Sequence, residues 1–134
     1  MNYLYRILLI LSIVIGGVIT SFAQRPTGPQ IRQLKIEFVT ERINLTAAQE
    51  KQFLPLYNEY SDELHKVRLK RRALNNSKSA LDPIAEREKL DRQVVDIKSR
   101  FNTRFLKVID ANQLNKLHQA EDDFRKMLMQ QLRK

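Results

Sequence analysis

Few side chains in this chain could do chemistry, and the densest group of them is cationic. Lys66-Val67-Arg68-Leu69-Lys70-Arg71-Arg72 packs five positive charges into seven positions. On a helix Arg68, Arg71 and Arg72 fall at 0, 3 and 4 and cluster, while Val67 and Leu74 turn toward a core. Such cations complement the C-terminal dipole of their own helix. Alternatively, Arg68, Lys70, Arg71 and Arg72 attract acidic stretches of other proteins or anionic lipid headgroups. Attraction of this sort speeds encounter and fades with salt.

Metal and acid–base chemistry have less to work with. The two histidines each have carboxylates nearby in sequence: Glu59, Asp62 and Glu63 around His65, Glu121 and Asp122 near His118. His118 and Asp122 are four apart and share a helical face, which makes His65, His118 and Asp122 weak ligand candidates. There is no His-x-x-x-His pair, and a structural metal normally needs four ligands. No dedicated metal and no cofactor is expected. Cysteine is absent, which removes disulfides, thiolate ligands and a thiol nucleophile. Only three glycines occur, two of them before residue 24, so no phosphate-cradling loop can form. The expectation is a binding protein and not an enzyme.

The aromatic set Phe53, Tyr57 and Tyr60 has two readings. It fills a core, or Tyr57 and Tyr60 stand on a concave wall as client contacts, rings apolar and hydroxyls wet. Met127, Leu128, Met129 and Leu132 form an adaptable apolar tail suited to loose binding or to packing on a second subunit.

The elements that must carry these residues are helices. Residues 1–23 read as a secretory signal: Arg6 is the only charge, residues 7–19 are almost wholly apolar, and Ser21-Phe22-Ala23 supplies small residues before Gln24. Left uncleaved, the same stretch is just long enough to anchor the chain in a membrane. Without it, basic residues fall from 24 to 23 against 15 acidic, a balance of +8. Residues 24–30, with Pro26, Gly28 and Pro29, read as a flexible tail. Residues 31–134 form one domain.

Two helix starts in that domain repeat one phrase. Leu45-Thr46-Ala47-Ala48-Gln49 and Ile109-Asp110-Ala111-Asn112-Gln113 each join an aliphatic residue, an N-cap and a glutamine three positions on. This is capping-box logic: the Thr46 or Asp110 oxygen accepts from the third helical N–H, and the glutamine reaches back to the cap. The copies lie 64 positions apart (109 minus 45), and Phe53 then aligns with Leu117, Tyr60 with Phe124 and Leu64 with Leu128. Two similar helices, used in similar ways, are implied.

Apolar spacing predicts a first helix over about 31–43 with Asn44 as its stop, and a second over about 46–74. Phe53, Tyr57, Tyr60, Leu64, Val67 and Leu74 form the seam of the second, with a bend expected near 51–55 from Pro55. Residues 75–79 read as a loop, and Asp82-Pro83 as the start of a third helix running to 109. The Asp110 cap opens a fourth, with Leu114, Leu117, Phe124, Leu128 and Leu132 on its apolar side. The fold class is all-α: an elongated bundle of about four amphipathic helices, a long helical hairpin too thin to cover itself. A homodimer follows from size, because so small a chain without disulfides needs a partner surface.

At this point the chain resembles the Spy/CpxP-like periplasmic proteins, which carry paired Leu-Thr-x-x-Gln motifs. Leu45, Thr46 and Gln49 match the motif fully; Ile109 and Asp110 replace its leucine and threonine before Gln113. The resemblance implies a cradle-shaped antiparallel homodimer of long helices, exported to the periplasm. It implies an ATP-independent chaperone holding unfolded or partly folded clients. The alternative is an envelope-stress or metal-responsive sensor that restrains a sensor kinase or an extracytoplasmic-function sigma-factor system, through a kinase or anti-sigma partner. A purely structural envelope protein is a third reading. The motif residues are helix starters in that family and locate no active site. Nucleic acid is not an expected partner, since export removes the chain from that compartment, and membrane contact is expected only through an uncleaved signal segment.

Overall fold

A computed structural model describes residues 27–76 and 83–133, and every regular element in them is helical. Four helices follow in order: α1 Gly28–Ile43, α2 Ala47–Asn76, α3 Pro83–Phe105 and α4 Ala111–Leu132. The signal-like residues 1–23, the first three tail residues 24–26, residues 77–79 of the expected loop and the Asp82 cap lie outside the described residues.

Three boundaries differ from the sequence expectation, the smallest being that α2 runs on to Asn76 and takes in the first two residues of the expected 75–79 loop. Helix α1 begins at Gly28 and absorbs part of the expected tail. Thr27 starts it as Thr46 and Asp110 start theirs, with the Thr27 N–H donating to Gln30 Oε1 at 2.9 Å. Proline is tolerated in this first turn, where the missing N–H would have no helical partner. Helix α3 stops at Phe105, four residues short of the expected end. Its cause is Asp110: the cap residue is extended (φ −80°, ψ 171°), so the chain must leave α3 early enough to reach it. The backbone does so through Val108 and Ile109 N–H groups, both bonded to the Phe105 carbonyl at 2.8 Å.

Asn44 ends α1 as expected, in the left-handed conformation (φ 51°, ψ 60°). Helix α2 continues through Pro55, which lies on its exposed side.

The helices associate as two antiparallel pairs, α1 with α4 and α2 with α3. Between them lies an aromatic core. Tyr57 and Tyr60 pack with Phe53, Phe101 and Phe105 at centroid separations from 5.3 to 6.4 Å, mostly tilted or edge-on. Offset and tilted contacts place ring edges against ring faces, which adds to their burial. Val39, Ile43, Leu90, Ile97, Ile109 and Leu117 complete the core. Exposed ion pairs line the α2–α3 seam: Glu59 with Arg104, Glu63 with Arg100, and Arg71 with Asp91. Pairs this wet contribute little stability, and their use is register.

Candidate functional site

The two capping boxes meet. Thr46 N–H donates to Gln49 Oε1 (3.1 Å) and Gln49 N–H to Thr46 Oγ1 (3.2 Å). Asp110 and Gln113 do the same at 3.0 and 2.8 Å. The two glutamine amides then bond each other in both directions, Gln49 Nε2 to Gln113 Oε1 at 3.0 Å and the reverse at 3.1 Å. Each amide also donates across to a carbonyl before the other copy of the motif: Gln49 to Val108 at 3.3 Å, Gln113 to Ile43 and Asn44 at 3.4 and 3.5 Å. Asn44 and Val108 are themselves 64 positions apart. A local two-fold relation therefore runs between the amides. Leu45 and Ile109 pack against the core on either side of it.

One carboxylate gathers the four helices further along. Glu121 of α4 accepts from Lys35 Nζ of α1 at 2.9 Å and from the Tyr57 and Tyr60 hydroxyls of α2 at 3.0 and 3.3 Å. His118 Nδ1 stands 3.9 Å from Glu121 Oε2, and its Nε2 is hydrogen-bonded to Asn102 of α3 at 3.0 Å. Burial pushes the Glu121 carboxyl up. Hydrogen bonding by His118, the Lys35 charge, and the Lys35 and Tyr57 donors outweigh it and hold the carboxyl at about 2. Burial, then the charge of Glu121, raise both tyrosine hydroxyls above their ordinary range. Glu121 and the two tyrosines are thus each held in one protonation state near neutrality: a charged acceptor and two neutral phenol donors. This arrangement binds helices together.

Tyr57 and Tyr60 are therefore not surface contacts. They are 0% and 1% exposed, with their hydroxyls spent on Glu121, and the concave-wall reading is corrected to a core one. His118 and Asp122 are not brought together either, since Asp122 pairs with Arg125 at 2.8 Å and His118 turns to Glu121 and Asn102. His65 is exposed on α2. Among the described residues no three histidine or acidic side chains gather in a way that could hold a metal ion. Sequence reading passed over Lys35 and Asn102, and noted Glu121 only as a carboxylate near His118. The 64-residue offset held a signal for one of them: Glu121 is the counterpart of Tyr57, a charge inside an otherwise apolar echo.

The cations behave as a surface. Arg71 is tied to Asp91, while Lys66, Arg68, Lys70 and Arg72 are exposed and form no ion pair among the described residues. Large apolar side chains are exposed among such charges: Leu34 on α1, Leu69 on α2, Val95 on α3, and Met127, Met129 and Leu132 together near the end of α4. The surface depressions are open troughs, one along α3 beside Lys89 and Arg92, the other between Arg71 and Arg87. No described helix is long and apolar enough to cross a membrane. No family model, no curated protein and no solved structure matches this chain, so its chemistry rests on these residues.

Proposed function

We propose that this protein is a Spy/CpxP-like holding chaperone of the periplasm, delivered there by a cleaved signal segment and working without ATP as a homodimer of amphipathic helices. The observation that supports this best is the pattern of exposed apolar side chains. Val95 (67% exposed) on α3, Leu106 just beyond it, and Met127, Met129 and Leu132 near the end of α4 all present apolar side chains at a strongly charged surface. Such a surface has many weak apolar contacts for an unfolded chain, and the depressions beside Lys89 and between Arg71 and Arg87 are open troughs that enclose no single ligand. Weak contacts release clients as readily as they hold them, and methionine adapts to different shapes. Net positive charge, concentrated at Arg68, Lys70, Arg71 and Arg72, draws acidic or partly unfolded clients from a distance. The second copy covers part of the remaining apolar surface, and no catalytic step is involved.

Light scattering of a denatured test protein, diluted with and without stoichiometric chaperone, is the test. Suppressed aggregation at low salt that weakens as salt rises supports the reading. Absence of suppression at low salt refutes it. Pull-down from stressed cells adds a second readout: many weak clients are expected, and one tight stoichiometric partner would place the protein among the signalling inhibitors.

A further inference from the structure

The last turns of α2 outrun their cover. Arg32, early in α1, bonds Asp62 at 2.6 Å and reaches Asn58 at 3.4 Å, so Gly28 stands level with about position 66 of α2. Glu121 stands level with Tyr57 and Tyr60, which brings Leu132, at the end of α4, level with about position 70. Beyond these levels, among the described residues, α2 has only α3 beside it, fastened by Arg71 to Asp91 and by Arg87 to Asn75. The α2–α3 pair thus forms an arm that runs on roughly 15 Å past the start of α1 and about 9 Å past the end of α4, at 1.5 Å per residue. Val67 and Leu90 are its buried centre.

Charge on this arm is one-sided. Residues 66–76 contain Lys66, Arg68, Lys70, Arg71 and Arg72 and no acidic residue. On the α3 side Glu86, Glu88 and Asp91 balance Arg87, Lys89 and Arg92. The four cations without an ion pair among the described residues surround Leu69, which is 48% exposed.

We propose that this arm docks on anionic phospholipid headgroups and holds the protein against a negatively charged bilayer. The spacing favours a surface over an acidic polypeptide. Lys66, Arg68, Lys70 and Arg72 occupy alternate positions, and at 3.6 residues per turn they fan around the exposed circumference instead of lining one face. An extended acidic peptide on one face meets only some of them. The nearby trough between Arg71 and Arg87 has its polar groups already engaged with Asp91 and Asn75. A sheet of headgroups acts on every cation within a Debye length of about 8–10 Å, close to the width of a helix. Leu69 then enters the interfacial zone, as apolar side chains of surface-bound helices do. This inference does not depend on the client-holding reading.

The full chain contains no tryptophan, so Leu69→Trp places a single reporter at the centre of the arm. Its emission is expected to shift to the blue on adding vesicles of phosphatidylglycerol and phosphatidylcholine at low salt, and to return at roughly 0.5 M salt. Vesicles of phosphatidylcholine alone should produce no shift. Adding Arg68→Gln, Lys70→Gln and Arg72→Gln in the same background should weaken the anionic-vesicle response by about 100-fold. These side chains are exposed, and circular dichroism confirms that each variant is folded. Were the triple variant unfolded, the lipid and salt comparisons on the single reporter would still decide. No shift with anionic vesicles, an equal shift with neutral ones, or indifference to the charge changes would each overturn the proposal. A shift with polyglutamate but none with vesicles would overturn it in favour of an acidic polypeptide.

Discussion

Gln49 and Gln113 hold one another through both amide atoms, at 3.0 and 3.1 Å, while each also closes the helix start on its own side. A glutamine in a capping box ordinarily serves one helix. Here the amide N–H groups left over from capping are donated to the other copy, so two local devices become one tertiary joint. Residues separated by 64 positions are fixed to each other, and α1 with α2 is fixed to α3 with α4.

That joint should show as coupling. Gln49→Ala and Gln113→Ala each lose a cap and an interhelical bond, expected to cost about 1–2 kcal/mol apiece. The double variant should cost less than the sum, by about 0.5–1.5 kcal/mol, because either change alone breaks the reciprocal pair. Urea midpoints at neutral pH measure the cycle, and a cycle that closes to zero would mean that the caps act separately.

Glu121 should set the acid limit of the fold. Its carboxyl is held at about 2 against an ordinary 4.5, a depressed value. The charged form is therefore favoured by folding, and its stabilisation is complete above the unfolded value and lost as pH falls from about 4.5 toward 2. The difference corresponds to about 3 kcal/mol. Glu121→Gln should lower stability at pH 7 by about 2–4 kcal/mol, since Lys35 loses its ion-pair partner and both tyrosines a charged acceptor. It should also flatten the acid branch of a stability–pH curve. A variant that loses stability as steeply as the parent below pH 4.5 would remove Glu121 from that role.

Asn44 carries the only positive φ among the described non-glycine residues. Asn44→Ala forces a Cβ-bearing residue without a helpful side chain into the left-handed region and should cost about 1 kcal/mol. Asn44→Gly should be nearly neutral, because glycine reaches that conformation freely. Thermal melts of the pair make the comparison, and equal losses for both would show that the asparagine side chain matters more than the backbone.

The legible parts of this molecule were those written in short stretches of sequence. Thr46 with Gln49 and Asp110 with Gln113 needed only four residues each, and the apolar seam from Phe53 to Leu74 needed only helical period. Thr27 and Gln30 carry the same signal, masked by Gly28 and Pro29, residues that argue for a loop unless proline's ease in a first turn is given its weight. The early stop of α3 was implied by Asp110 itself, since a cap residue cannot also be the end of an unbroken helix. Glu121 was harder. Its partners come from α1, α2 and, through His118, α3, and no local window holds them together. A buried acid in a helical stripe reads as a solvated one until its donors arrive from elsewhere. The same separation hid the fate of Tyr57 and Tyr60.

The pairing of α1 with α4 has a mechanical result. The helices are antiparallel, so Gly28 and Leu132 end up at the same end of the bundle, beside the base of the α2–α3 arm. A pull applied through both ends of the chain would open α1 from α4 one turn at a time, like a zip, and load Lys35–Glu121 before it reached the glutamine joint.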